Sequence, residues 1–149
     1  MLVLMLTGCA TQRLPRPEIP GRQVPDQTLG VQIAVDAIAQ LGRPYRYGGR
    51  DPAGFDCSGL VFFVHAAHGI TTPRTTLEQY RVARPVSADA LAAGDLLFFR
   101  IGATGVAHVG IYTGDGHFVH APQTGRPVEL RPVDDPYFRP RFLGAGRFY

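Results

Sequence analysis

The chain has no lysine, no asparagine and no tryptophan, and only two cysteines. It also has no apolar run near the roughly 20 residues that a membrane-spanning helix needs. Each absence narrows the reading. With all 15 basic residues arginine, the composition is that of a GC-rich genome. Without a long apolar run, attachment to a membrane has to come through a covalent lipid. A formal net charge of +3 is too mild to argue for nucleic acid. The arginines at 126, 131, 139, 141 and 147 read as a solvated basic face, one that would attract a carboxylate-rich polymer.

Cys9 sits in Leu6-Thr7-Gly8-Cys9-Ala10, behind the apolar run from Met1 to Leu6. Small residues flanking such a cysteine have the shape of a bacterial lipobox, so residues 1–9 read as a signal segment whose cysteine is lipidated. Ala10, where an aspartate would signal retention, favours the outer membrane by similarity to lipoprotein sorting in Gram-negative bacteria. Residues 10–29 carry Pro15, Pro17, Pro20 and Pro25 among polar residues with no apolar period. Such a tether reaches roughly 60 Å at about 3.1 Å per residue. Residues 30–149 remain for one compact domain, and a chain of 149 residues at 45% hydrophobic can bury about two thirds of its unfolded surface. An acylated Cys9 leaves Cys57 without a disulfide partner. A lone thiol in an oxidising compartment is a liability unless it is used.

Val31, Ile33, Ala34, Val35, Ala37, Ile38 and Leu41 predict a helix over 31–41, ended by Gly42 with Pro44 beyond. A glycine-rich loop from Gly48 to Gly54 leads to Asp56. Leu60, Val61, Phe62, Phe63, Val64, Ala66 and Ala67 then predict a mostly buried helix that Gly69 stops. A short helical turn is expected at 88–91, and strands over 96–100, 107–113, 117–121, 127–131 and 142–149. Helices first and strands later make the class α+β, with the helices packed on one side of an antiparallel sheet.

Asp56 is a good N-cap, which puts Cys57 in the first turn of its helix, where unpaired backbone N–H groups and the positive dipole end favour thiolate over thiol. Strand parity tests the histidines against each other. His108 and His120 flank Gly114-Asp115-Gly116, a turn signal that predicts a hairpin. If the turn is centred on Asp115, Gly110 faces His120, and both imidazoles occupy one face as diagonal neighbours. A slip of one residue would separate them. In the centred register Val109 and Ile111 point to the core, and Gly110 leaves space beside the His120 ring. His117 falls on the other face, and His65 and His68 are expected to face solvent with no part in catalysis. One free thiol with two imidazoles on one face is a cysteine-nucleophile constellation.

At this point several motifs, in order, resemble a known family. Tyr45-Arg46-Tyr47-Gly48-Gly49, Gly54-Phe55-Asp56-Cys57-Ser58-Gly59-Leu60-Val61, Pro73-Arg74-Thr75, Gly94-Asp95-Leu96-Leu97-Phe98-Phe99, His108-Val109-Gly110-Ile111-Tyr112 and His120-Ala121 look like the NlpC/P60 cysteine peptidases of bacterial cell walls. Pro136-Tyr137-Phe138-Arg139-Pro140-Arg141 is similar to the C-terminal segment of the Spr-type murein endopeptidases, which are outer-membrane lipoproteins. The resemblance implies a papain-like fold and no cofactor. It makes Cys57 the nucleophile, His108 the general base and His120 the residue that orients it. Tyr45 would steady the oxyanion together with the Cys57 N–H, and Asp56, Ser58 and Arg74 could contact substrate. The implied substrate is peptidoglycan, cut through a thioester at the D-Glu to diaminopimelate bond of a stem or the D-Ala to diaminopimelate crosslink, the Spr-like tail favouring the latter.

Two other readings stand beside this one. Cys57, His108 and His120 are chemically competent zinc ligands, although their spacing matches no short zinc motif. A lipoprotein that binds peptidoglycan without turnover is the other, and the filled catalytic positions argue against it.

Overall fold

Asp56 stops one segment of chain and starts the next, and most of the architecture that matters hangs from it. The computed structural model describes residues 26–103 and 105–149. The signal segment, Cys9 and the tether up to residue 25 lie outside the described residues. Helix α1 spans Asp26–Ile38, so it begins before the expected domain boundary at residue 30 and ends before Leu41. Its apolar residues run all round, yet only one face is used: Ile33, Ala34 and Ala37 are buried while Val31, Val35 and Ile38 stay exposed. After Ile38 the amides of Gln40 and Leu41 bond three residues back, tightening the chain into turns.

Two short strands, β1 (Arg50–Asp51) and β2 (Gly54–Phe55), pair in the glycine-rich loop. Helix α2 spans Cys57–Ala67, with Asp56 in extended conformation accepting from the Gly59 amide at 2.7 Å. Leu60, Val61 and Val64 point inward. Gly69, at φ +73, turns the chain away after the His68 cap. Gly59 is required for a different reason: a Cβ there would overlap the Gly49 carbonyl, on which the first turn of α2 rests. Helix α3, Thr76–Val82, was not anticipated, because seven residues are too few to display a helical period. Its sequence signal is the capping box of Thr75 with Glu78, whose side chains bond at 2.7 Å.

Strands β3 (Arg84–Val86), β4 (Leu96–Arg100), β5 (Val106–Tyr112), β6 (His117–His120), β7 (Glu129–Pro132) and β8 (Phe142–Arg147) form one sheet in the order β3-β8-β4-β5-β6-β7, its ladders antiparallel. Five of these strands lie within two residues of expectation at most ends. β3 was missed, being a three-residue edge strand that contains Pro85. One face of the sheet (Leu96, Phe98, Val109, Ile111, Val119) packs against α1 and α2 through Ile33, Ala37, Leu60, Val61 and Val64. Leu97, Phe99 and Phe118 on the other face gather round Phe138, from the segment before β8. Each fully buried side chain of this size contributes about 1.5–3 kcal/mol. Asp95, fully buried at the start of β4, ties β8 down by accepting from Arg147 Nη2 at 2.7 Å. Removing one partner of such a buried pair costs about 3–5 kcal/mol.

His65 does not face solvent. It is fully buried on α2, its Nδ1 2.9 Å from the Val61 carbonyl, edge-on to Phe148. Burial lowers its pKa to about 4. His68, also expected in solvent, is half-buried and pairs with Asp36 on α1 at 2.8 Å. Because His65 is neutral when folded and ionises near 6.5 when unfolded, the unfolded chain binds the extra proton between those values. Its effect on stability is therefore absent above pH 6.5 and a loss of about 1.4 kcal/mol per unit as pH falls toward 4. Urea denaturation across this range should show that loss, and His65→Leu should make the slope shallower by about that amount, the buried His108 and His120 keeping the rest.

Candidate active site

The first turn of α2 is held by one carboxylate. Asp56 Oδ2 accepts from the Gly48 amide at 2.9 Å and from Arg74 Nη2 at 2.7 Å, while Oδ1 accepts from Arg74 Nη1 at 2.9 Å and from the Gly59 amide. Ser58 Oγ donates to Oδ1 at 3.2 Å and accepts from Arg74 Nη1 at 3.0 Å. Asp56, Ser58 and Arg74 are thus brought together, but their polar atoms are largely spent on one another. Their first product is a rigid helix mouth. Cys57 is the first residue of that helix, half-buried, its sulfur 3.4 Å from Thr76 Oγ1 on α3. Tyr45, Tyr47, Cys57, Arg74, Thr75 and Ala107 line a groove of about 440 Å³ over the thiol.

The hairpin has the expected register. Ile111 pairs with Val119 and Tyr112 with Phe118, centring the turn on Asp115. Val109 and Ile111 go to the helix side and the two imidazoles to the other, where both are buried. His108 Nε2 and His120 Nδ1 are 2.7 Å apart, the rings nearly perpendicular at 85°. Phe138 packs on both rings, at 5.9 Å from His108 and 5.1 Å from His120. The space expected beside His120 at Gly110 is taken instead by Phe118, whose ring a Cβ at 110 would strike. His117 is turned away, beside Asp115.

Thiol and imidazoles approach β5 from its two sides. The Val109 amide acts on the sulfur and Ala107 lines its groove, so Cys57 meets the strand on both sides of His108. The imidazoles open on a second cavity of about 380 Å³, bounded by Ile101, Arg126, Arg131 and Tyr137. With His108 Nε2 taken by His120, Nδ1 is the ring nitrogen that the pair does not use. The hydrogen bond that the sulfur makes goes to Thr76. Among the described residues no three His, Cys, Asp or Glu side chains converge on a point that could hold a metal ion.

Burial sets the charge state. It pushes the Cys57 thiol up from its ordinary value, aided by Asp56, against the pull of Thr76 and the amides of Val109 and Ser58. Thiolate at rest, expected from the helix terminus alone, is therefore disfavoured: desolvation outweighs the dipole. His108 is lowered to about 3 by burial and then by His120, and His120 to about 3 by burial and then by Arg131 and Arg126. The Tyr45 hydroxyl is raised, by burial first and then by Cys57, so it is a donor beside the sulfur.

Residues 42–147 match the model described as the NlpC/P60 family. The chain belongs to the NlpC/P60 family. It is 42% identical over 115 residues to the murein DD-endopeptidase MepH of Escherichia coli strain K12, covering 74% of this chain and 42% of that protein. It is 40% identical over 110 residues to a gamma-D-glutamyl-L-lysine dipeptidyl-peptidase of Bacillus cereus, covering 72% of this chain and 33% of that one. The chain thus spans less than half the length of these curated relatives. An NlpC/P60 family protein from Bacillus cereus ATCC 10987 superposes with a TM-score of 0.76 at 36% identity, over 80% of this chain and 40% of that one. The NlpC/p60 domain of the peptidoglycan hydrolase SagA gives 0.68 at 36% identity, over 78% and 97%. The α+β class and the sheet-and-helix arrangement are those of this NlpC/P60 fold.

Thr76 and Glu129 were not singled out from the sequence, and Arg126 and Arg131, expected on a solvated basic face, are instead bound to Glu129. Thr76 had a signal in the capping box that starts α3, and Glu129 in its place opposite His120. As the thiol is protonated at rest, alkylation of Cys57 by iodoacetamide should be slow at pH 7 and rise about tenfold per pH unit to beyond pH 9. A plateau reached below pH 7 would mean a resting thiolate and contradict this state.

Proposed function

We propose that this chain is a peptidoglycan endopeptidase in which Cys57 is the nucleophile, His108 the general base and His120 its orienting partner. The observation that carries the reading is that the only described cysteine opens α2 where its sulfur meets the Val109 amide of β5, one residue along the strand from His108, whose ring is hydrogen-bonded to His120. The names of the relatives supply the substrate class.

Cys57 Sγ attacks an amide carbonyl of a stem peptide while His108 Nδ1 takes the thiol proton, so the S–H bond breaks as the S–C bond forms. The developing oxyanion is met by the Cys57 backbone N–H and the Tyr45 hydroxyl. His108 returns the proton to the leaving amine as the C–N bond breaks, and a thioester remains. Water, giving its proton to His108, then releases the acid and the thiol. Burial keeps His108 neutral at rest, so its ring has a lone pair with which to accept the thiol proton. Asp56, Ser58 and Arg74 shape the groove by bonding one another. The bond we assign is the D-Ala to diaminopimelate crosslink, which the MepH name and the Pro136 to Arg141 segment favour. Cys9, in its lipobox, would carry the lipid that anchors the enzyme to the periplasmic face of the outer membrane, with residues 10–25 as tether.

Mass spectrometry of muropeptides after digestion of purified peptidoglycan tests the assignment. Wild type should release new fragments and Cys57→Ala none. His108→Ala should lose about 10²- to 10⁴-fold, and His120→Ala less, because misorienting a base costs less than removing it. Fragment release by Cys57→Ala at the wild-type rate would remove the nucleophile.

A further inference from the structure

Glu129 stands directly opposite His120 in the β6–β7 ladder. Its Oε1 lies 3.2 Å from His120 Nε2, close but off the line of a good hydrogen bond, and that nitrogen is buried with no other partner. Two guanidiniums bracket the carboxylate. Arg126 Nη2 donates to both oxygens at 2.8 and 2.6 Å, and Arg131 Nε donates to Oε1 at 2.9 Å. Arg131 Nη1 also lies 3.7 Å from Asp135.

A carboxylate that takes hydrogen bonds from two guanidiniums faces its other neighbour as an acceptor. The nitrogen facing it therefore carries the proton, since a lone pair there would be repelled. A neutral imidazole has one N–H, so His120 with hydrogen on Nε2 has its lone pair on Nδ1. The 2.7 Å contact to His108 then needs a donor from the other side, and that donor is His108 Nε2–H. Nothing is left on His108 Nδ1 but its lone pair. We propose that Glu129 is a positioning residue that sets, through His120, the one tautomer in which His108 can accept the Cys57 proton. The proposal rests on the peptidase reading above for its consequence in turnover, but not for the tautomer itself. Reversing both rings would turn an N–H toward the thiol and leave it with no base. Arg126 and Arg131 serve the same arrangement by holding Glu129 still, so their side chains are committed to the protein rather than to a ligand. The charged and titratable groups facing the two rings are Arg126 from the loop before β7, Glu129 and Arg131 from β7, and Asp135 and Tyr137 from the segment after it.

Long-range ¹H–¹⁵N spectra of the histidine-labelled full chain read the tautomer directly. At pH 7 both His108 and His120 should carry hydrogen on Nε2. In Glu129→Ala, His120 should move to the Nδ1–H form or a mixture, and kcat on peptidoglycan fragments should fall roughly ten- to a hundredfold with KM unchanged. Glu129→Asp should recover part of both signals. A wild-type His120 protonated on Nδ1 would overturn the proposal, as would Glu129→Ala with kcat intact. The wild-type spectrum decides the tautomer even if the alanine variant does not fold, and it does so whether or not the chain cuts peptidoglycan, so the two readings fail separately.

Discussion

The hydrogen bond between His108 and His120 exists because β5 and β6 pair with Ile111 opposite Val119, and every chemical property of the site follows from that register. A slip of one residue would send one imidazole into the helix-packed core and leave the other alone. The register is enforced from outside the site. Val109, Ile111 and Val119 belong to the core under α1 and α2, and Phe118 fills the notch above Gly110 on the opposite face. Packing energy that concerns only the fold thus holds two ring nitrogens at a fixed separation.

Desolvation is the second constraint. A helix N-terminus with free amides would by itself favour a thiolate, and two exposed histidines would by themselves titrate near neutrality. Buried against Phe138 and one another, the histidines are kept neutral, and the buried thiol is kept protonated. At rest the thiol and both imidazoles are uncharged, and in the proposed reaction charge would appear only when the thiol proton moves to His108. A protonated thiol bonded to Thr76 is a weak nucleophile, which keeps Cys57 unreactive at rest.

Much of this was legible in the residues. Asp56 as N-cap, the start of α2 at Cys57, β4 in full and the hairpin parity could be read because each rests on a local rule: a capping side chain, an unbroken apolar run, a turn glycine pair. What was not legible depends on tertiary contact. α3 and β3 are too short to show a period, and the end of α1 is decided by which face finds a partner, not by its pattern. His65 looked like any surface histidine on an amphipathic helix until β8 brought Phe148 against it. The charge state of Cys57 depends on how deeply the helix mouth is covered, which no local signal reports. Glu129 could have been found by continuing the same parity argument one strand further, since β7 puts it opposite His120.

The central claim is that His120 works only through His108, as one unit with the thiol. The most direct measurement is a double-mutant cycle in which kcat/KM on crosslinked muropeptides is compared for His108→Ala, His120→Ala and the pair together. The account predicts that the double variant is no slower than His108→Ala alone, because without the base there is nothing left to orient. If the two losses instead multiply, His120 has an independent role and the relay described here is wrong.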